Sequence, residues 1–358
     1  MSDIIYSILS VIMSHQPESA PITEVSAPKS PFVESLESRW AQDKFVCVGL
    51  DPDPAKLPQS VLASTERMGD SLFRFNREII DATGDVAGFF KPNIAFYERF
   101  GAQGLQAFGN TVEYIHSKFP GVPVIGDVKR ADIGNTNIGY AASLFDEFGV
   151  DAVTVNGYFG EEAMQPFLER TDKGIIVLAR TSNKGAREFQ NQEFFLTYEE
   201  LFELSNGPAG KTESEALRVL ETVKMFKGDF TELLGKEIKP EDFVDYTKVP
   251  LFLDVAMRVA NHWNKNGNCA VVAGATAPAE LGLIRRAVGD LPILIPGLGS
   301  QGGDREATVK NGKDSRGWGM IINSSSGIIH ASSGEDFAER AREETIKLSQ
   351  GVNELRAA

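Results

Sequence analysis

Eight short apolar runs recur along the chain, most of them ending in polar or charged residues, and they limit what it can fold into. They are Phe45–Asp51, Gly88–Ile94, Val122–Ile125 leading into Gly126–Lys129, Asp151–Asn156, Gly174–Arg180, Cys269–Gly274, Pro292–Gly297 and Gly319–Ser324. Runs this short, rich in Val and Ile and bounded by Gly and Pro, read as buried strands. The residues are apolar continuously rather than at every second position, which is the pattern of a parallel sheet covered on both faces. The intervening segments have helix-forming composition, as parallel connections require. Eight βα units fit a closed (β/α)8 barrel, and polar residues gathered at the strands' C-terminal ends fit its active-site face. An open doubly wound sheet is the competitor. No G-x-G-x-x-G follows the first run, which counts against its dinucleotide-binding form. The expected fold class is therefore α/β, a (β/α)8 barrel.

The expected organisation is a flexible extension over residues 1–31 and a single barrel domain over 32–358, with an insertion at about 190–250. The extension contains an apolar run, Ile4–Met13, too short to span a bilayer. Asp3 stands where a secretory signal would carry basic residues. Ser14–Pro31 is rich in Ser, Pro and Glu and reads as flexible. Phe32, Val33, Leu36 and Trp40 then sit at helical spacing, and this helix is expected to cover one end of the barrel. Between the fifth and sixth runs the gap is longer than one loop and one helix need. Its acidic stretch, Gln190–Pro250, has apolar residues at helical intervals (Tyr198, Leu201, Phe202; Leu217, Leu220, Val223). A partly helical insertion packed on the outside is expected, with an interface or lid element as its functional alternative.

The formal net charge of -14 argues against nucleic acid or an anionic membrane as a partner. A local basic pocket for a small phosphorylated ligand remains compatible with it. The two cysteines, Cys47 and Cys269, lie inside apolar runs, so buried free thiols and a reducing, cytoplasmic compartment are expected. The four histidines form no close ligand pattern, and no metal site is expected.

Chemistry concentrates in Gly126-Asp127-Val128-Lys129-Arg130-Ala131-Asp132-Ile133-Gly134-Asn135-Thr136, read as strand, tight loop and helix. The following helix carries Ile138, Ala142, Phe145 and Phe148 at apolar spacing. Asp127 and Lys129, two apart on a strand, project from one face, and Asp132 lies just beyond. Two carboxylates around one ammonium are costly unless chemistry uses them. A surface ion-pair loop would show the same D-x-K-x-x-D pattern, so the motif's companions decide.

Those companions are Val48-Gly49-Leu50-Asp51-Pro52, Phe90-Lys91-Pro92-Asn93, Arg180-Thr181-Ser182-Asn183 and Pro296-Gly297-Leu298-Gly299-Ser300-Gln301-Gly302-Gly303-Asp304. In this order, with the Asp127 motif, they resemble the orotidine 5'-phosphate decarboxylase family, in its longer bacterial-type branch. The resemblance runs from about Phe32 to the C-terminus, excluding the insertion. It implies decarboxylation of orotidine 5'-monophosphate to UMP, the last step of de novo pyrimidine nucleotide synthesis, with no cofactor and no metal. A carbanion forms on the pyrimidine with no electron sink, so the protein must stabilise that charge and then protonate it. Lys129 matches the family's proton donor, Asp127 the acid set against the substrate carboxylate, and Lys91 and Asp132 the rest of the charged array. The resemblance further implies a homodimer in which Asp132, accompanied by Thr136, reaches the neighbouring subunit's site. Asp51 matches a ribose-hydroxyl acceptor and Ser182 the residue that reads the pyrimidine. Lys184 stands where the family's loop has proline after Asn183, which loosens the loop and removes no reactive group. Pro296, Gln301, Gly302, Ser325 and Ser326 fall in the substrate-binding positions, with Gln301-Gly302-Gly303 as the phosphate-gripping turn, where glycines allow close backbone approach.

The chain departs from the family in Asn323-Ser324-Ser325-Ser326-Gly327, where Ser326 occupies the position of a phosphate-binding arginine. A hydroxyl cannot replace a guanidinium's bidentate, charge-assisted contacts. Losing such a contact costs about 2–5 kcal/mol when the partner charge stays buried and unpaired. Either Ser326 weakens substrate binding, or another cation, Arg305 or Arg316, supplies the charge. Two other functions share parts of the pattern: a magnesium-dependent sugar-phosphate decarboxylase or synthase of the same superfamily, and a non-catalytic nucleotide-binding barrel. Phe90-Lys91-Pro92-Asn93 and the Ser182 loop favour the nucleotide enzyme.

Overall fold

The computed structural model describes residues 29–197, 200, 203–204, 246–298 and 302–357. Its centre is a ring of eight parallel strands: β1 (Val46–Leu50), β2 (Phe89–Pro92), β3 (Ile125–Arg130), β4 (Ala152–Val155), β5 (Gly174–Arg180), β8 (Cys269–Ala273), β9 (Ile293–Pro296) and β10 (Met320–Ser324). The hydrogen-bonded order is β2-β1-β10-β9-β8-β5-β4-β3, and the bridges Phe90↔Val124 and Asn93↔Asp127 join β2 to β3 and close the ring. Every residue of β1 and β8 is buried, as expected of strands with side chains inside the barrel on one face and under helices on the other. The eight apolar runs thus supply the eight barrel strands, within three residues of the expected bounds.

Helices lie outside the ring because each has one apolar stripe to bury. They include α1 (Pro31–Trp40), α2 (Met68–Thr83), α3 (Gly101–Lys118), α4 (Gly134–Ala141), α5 (Gly160–Leu168), α6 (Leu251–Arg258), α7 (Pro278–Val288), α8 (Arg305–Gly312), α9 (Ser326–Ile329) and α10 (Phe337–Ala357). In α2 the buried stripe is Leu72, Phe75, Ile79 and Ile80, and in α3 it is Phe108, Val112 and Ile115. Between them a buried polar chain reaches the barrel: the Asn76 amide donates to Tyr97 Oη (2.8 Å) and Thr111 Oγ1 (3.1 Å), and the Tyr97 hydroxyl donates to the Leu50 carbonyl (2.8 Å). That chain fixes the end of β1, the residue before Asp51.

Helix α1 closes the N-terminal end of the barrel. Trp40 Nε1 donates to the carbonyl of Met320, the first residue of β10 (2.8 Å), and Arg39 donates to the Ala87 and Gly88 carbonyls just before β2. Phe32 lies against Gly174, the first residue of β5, where a Cβ would come within 2.3 Å of its ring. The helix begins one residue earlier than the expected domain start, because Ser30 caps it by accepting from Val33 N and Pro31 suits the first turn. The rest of the expected extension, through residue 28, lies outside the described residues.

Where it is described, the insertion contains strands as well as the helical residues Glu200, Glu203 and Leu204. Its ends pair as an antiparallel ribbon, β6 (Glu193–Thr197) with β7 (Tyr246–Pro250). Phe194-Phe195-Leu196 has aromatic strand character that the helical spacing of later residues obscures. Tyr198, Leu201, Phe202, Leu217, Leu220 and Val223 lie outside the described residues. Cys47 and Cys269 are free and buried, and burial pushes both thiols up to about 12. Among the described residues no helix is long and apolar enough to cross a membrane.

Candidate active site

The parallel ring brings the expected polar residues to one end, the C-terminal mouth. Asp51 follows β1, Lys91 lies in β2, Asp127 and Lys129 in β3, and Ser182 follows β5. Pro296 ends β9, and Ser325 and Ser326 follow β10. Gln301 lies outside the described residues.

At the mouth the Asp127 carboxylate is held on both oxygens. Its Oδ2 accepts from Lys91 Nζ (2.9 Å) and Asn93 Nδ2 (3.4 Å), and its Oδ1 accepts from Lys129 Nζ (2.5 Å) and Thr154 Oγ1 (2.9 Å). Asp127 and Lys91 are buried, whereas the Lys129 side chain is 48% exposed. Burial alone would raise the Asp127 pKa, but the two ammonium groups outweigh it and hold the carboxyl well below the usual carboxylate range. Burial alone would lower the Lys91 pKa, but Asp127 and Asp51 outweigh it and raise the ammonium above its ordinary value. At neutral pH the centre is thus a buried carboxylate between a buried ammonium and one open to the mouth.

Asp127 and Lys129 share a face, as expected, yet β3 is not a regular strand there. Lys129 has φ +45°, in the left-handed region, and the β3–β4 register shifts between Gly126 and Arg130. Such a conformation costs about 1–3 kcal/mol in a non-glycine residue and persists where its surroundings hold it. Thr154 provides that support. Its Oγ1 accepts from the Val128 and Lys129 amides (3.0 Å each) while donating to Asp127. Neither Thr154 nor a direct role for Asn93 emerges from sequence reasoning. The available signal was a lone hydroxyl residue in the apolar run Asp151-Ala152-Val153-Thr154-Val155.

Asp51 Oδ1 accepts from the Asn93 amide (3.2 Å), tying the ends of β1 and β2 together beside the array. Ser182 is held from β8: Thr276 Oγ1 donates to its carbonyl (2.9 Å), and a Cβ on Gly274 would come within 2.8 Å of its Cα. Ser325 lies over β1, where a Cβ on Gly49 would meet its Oγ at 1.8 Å. Gly302 has φ +77°, which favours glycine there, and Gly303 fits closely against Ala275 and the Gly297 carbonyl.

Two expected residues stand apart from the array. Asp132 is half-buried, its Oδ1 accepting from the next backbone amide, Ile133 N (2.7 Å), and Thr136 is exposed on α4. Ile138 also departs from the expected buried stripe: it is 56% exposed, whereas Phe145 is buried. The two candidate replacement cations separate clearly. Arg316 precedes β10 at the opposite end of the barrel, with Nη1 on Glu37 of α1 (2.6 Å) and Nη2 on Asp314 (2.8 Å). It cannot serve the mouth. Arg305, at the start of α8, lines a cavity together with Ser326.

A family model for the orotidine 5'-phosphate decarboxylase / HUMPS family matches residues 44–233. The chain is 40% identical over 326 residues to the orotidine 5'-phosphate decarboxylase of Cupriavidus metallidurans, covering 91% of this chain and 98% of that one. The chain belongs to the orotidine 5'-phosphate decarboxylase family. A Janthinobacterium orotidine 5'-phosphate decarboxylase is 39% identical over 324 residues, covering 90% of this chain and 98% of its own. Among solved structures, the Leishmania donovani OMP decarboxylase superposes with a TM-score of 0.66 at 27% identity, covering 91% of this chain and 99% of that one. The Leishmania donovani UMP synthase gives 0.68 at 28% identity, with 92% of this chain matching 57% of the longer one. This orotidine 5'-phosphate decarboxylase family member is therefore a carbon–carbon lyase with the family's barrel.

Proposed function

We propose that the Asp127–Lys129 pair, backed by Lys91, carries out the decarboxylation of orotidine 5'-monophosphate to UMP that family membership gives this chain. The observation that carries the reading is one carboxylate bound on both oxygens by two ammonium groups of opposite accessibility. The substrate carboxylate lies against Asp127, and like-charge proximity disfavours it there. As the bond from the pyrimidine C6 to the carboxylate breaks, CO2 departs and the electron pair stays on C6. The Lys129 ammonium, open to the mouth, stabilises that pair and then donates a proton to it. Lys91 is buried and holds Asp127 ionised and fixed throughout. Asp51 accepts from a ribose hydroxyl, Ser182 reads the pyrimidine, and Pro296, Gln301, Gly302, Ser325 and Ser326 surround the rest of the nucleotide. No step calls for a metal or a cofactor.

The site is completed by a second copy of the chain. Asp132 makes no hydrogen bond to its own array and Thr136 is exposed, consistent with residues that serve the partner's. Large apolar side chains are exposed on the same two βα units: Ile133 (62% exposed) and Ile138, and on the next connection Tyr158 and Phe159. The two units form one surface, since Asn137 of α4 donates to the Ala163 carbonyl of α5 (2.6 Å). Exposed apolar side chains on two packed units fit an isologous homodimer contact.

Loss of orotate absorbance on mixing protein with orotidine monophosphate in EDTA tests the reaction. Turnover is expected without metal, and Lys129→Ala should lower kcat by about 10²–10⁴-fold or more, the contribution of a positioned proton donor. Turnover that requires added magnesium would move the reading to an enediolate-forming sugar-phosphate enzyme.

A further inference from the structure

The loop after β5 carries Ser182 at the mouth, and its backbone is tied on both sides of that side chain. Arg180 Nη1 donates to the Thr181 carbonyl (2.5 Å), and Thr276 Oγ1 donates to the Ser182 carbonyl (2.9 Å). The Ser182 hydroxyl itself makes no hydrogen bond among the described residues. A further restraint comes from the root of the insertion. Gln190 Oε1 accepts from the Thr181 amide (2.8 Å), and Gln190 Nε2 donates to Thr181 Oγ1 (2.9 Å). That hydroxyl passes the bond on by donating to Asn183 Oδ1 (2.7 Å). One carboxamide thus spends both its acceptor and its donor on Thr181, and through it reaches both neighbours of Ser182.

Gln190 is itself fixed. Its amide donates to the Ala186 carbonyl (2.8 Å), and its carbonyl accepts from the Phe252 amide (2.9 Å). That amide lies in the first turn of α6 and has no partner within the helix. The Phe252 side chain is buried in the core, so the carboxamide is referenced to the barrel rather than to a surface loop. The loop's own sequence leaves it in need of this restraint. Asn183 is extended (φ -75°, ψ 151°), and Lys184 opens a short helical turn, Lys184–Glu188. Proline at that first position would fix such a backbone, whereas lysine leaves it free to rotate.

We propose that Gln190 is a positioning residue for pyrimidine recognition. It holds Thr181 and Asn183 so that the Ser182 hydroxyl meets the base, and it makes the root of the insertion part of the site. The proposal rests on the reading of Ser182 as the residue that meets the pyrimidine.

The test measures the inhibition constant of UMP against turnover of orotidine monophosphate, for the full chain and its variants. Gln190→Leu, similar in size and without polar atoms, should raise that constant by about 3- to 10-fold, the loss of one or two hydrogen bonds. A double-mutant cycle then separates positioning from general damage. Gln190→Leu should add less than about twofold on a Ser182→Ala background, yet keep its full effect on Asp51→Ala, which alters the ribose side. Lys184→Pro should return UMP binding to Gln190→Leu by stiffening the same backbone. Thr181→Val keeps the backbone bond and breaks the relay to Asn183. It should give a smaller rise in the same sense, and it carries the test if Gln190→Leu does not fold. Unchanged UMP binding in these variants, or equal effects on the Ser182→Ala and Asp51→Ala backgrounds, overturns the assignment. In that case weaker UMP binding by Ser182→Ala alone leaves the reading of Ser182 standing, whereas unchanged binding by Ser182→Ala defeats both.

Discussion

At the scale of single residues, Asp127 is the centre of the proposed site because its donors differ in accessibility and in what else they hold. Lys91 neutralises a buried charge, Lys129 does so while staying accessible, and Thr154 ties the carboxylate to the irregular backbone beneath it. Thr154→Val keeps the shape and removes the hydroxyl, leaving the Val128 and Lys129 amides without their acceptor. A stability loss of about 1–3 kcal/mol is expected by urea denaturation, together with a lower kcat, since Lys129 loses the backbone support that aims it. The array also sets an acid limit. Because the folded Asp127 pKa is depressed, its stabilisation is complete above the unfolded value near 3.9 and is lost as pH falls through the folded value. Lys91, raised when folded, stabilises fully below its unfolded value near 10.4 and loses that contribution only as pH rises through its folded value. Unfolding free energies measured from about pH 5 down to about pH 2 should therefore converge between wild type and Asp127→Asn. A constant difference across that range would contradict the depressed pKa.

At the scale of elements, strand ends matter more than strand interiors. The register shift in β3 and the left-handed Lys129 turn an otherwise ordinary strand end into a platform on which Asp127 and Lys129 meet at 2.5 Å. On the opposite side of β1, Gly49 leaves room for the Ser325 side chain. Gly49→Ala would force Ser325 off β1, because its new Cβ would lie 1.8 Å from the hydroxyl. The expected result is a higher KM for the nucleotide with a smaller change in kcat, read from steady-state kinetics. Elements were legible from sequence where burial dictates composition: the eight strands and the α1 helix follow from apolar runs and spacing. The β6–β7 ribbon was not, since its strands lie at the ends of an insertion whose helical spacing dominates any window drawn across it.

At the scale of the whole molecule, the proposed sharing of Asp132 and Thr136 across a dimer makes the pair of subunits the functional unit of that proposal. Mixing Lys129→Ala and Asp132→Ala proteins after dissociation tests this. Each mixed dimer would contain one site with both native residues and one with neither. Random reassociation would then restore about a quarter of wild-type activity from two nearly inactive proteins. Mixing that restores nothing would confine Asp132 to its own subunit. Ile138→Asp should separately yield monomers in sedimentation and lose activity, because a charge on the apolar face opposes its burial.

The order and number of barrel strands, the closed α/β architecture and the gathering of acids and lysines at one end were determined by the sequence alone. Continuous apolar runs can be buried only between layers, and parallel strands necessarily place all their C-terminal ends together. Tertiary structure decided how that end is assembled in detail. The pairing of Asp127 with Asn93 and Thr154 depends on neighbouring strands whose residues lie 34 and 27 positions away in the chain. The choice between Arg305 and Arg316 was equally invisible in one dimension. Both follow β9 in the chain, yet Arg305 begins a helix beside the mouth whereas Arg316 comes after that helix has carried the chain to the barrel's far end. Only the path of the backbone separates an arginine that lines a cavity with Ser326 from one committed to Glu37 and Asp314.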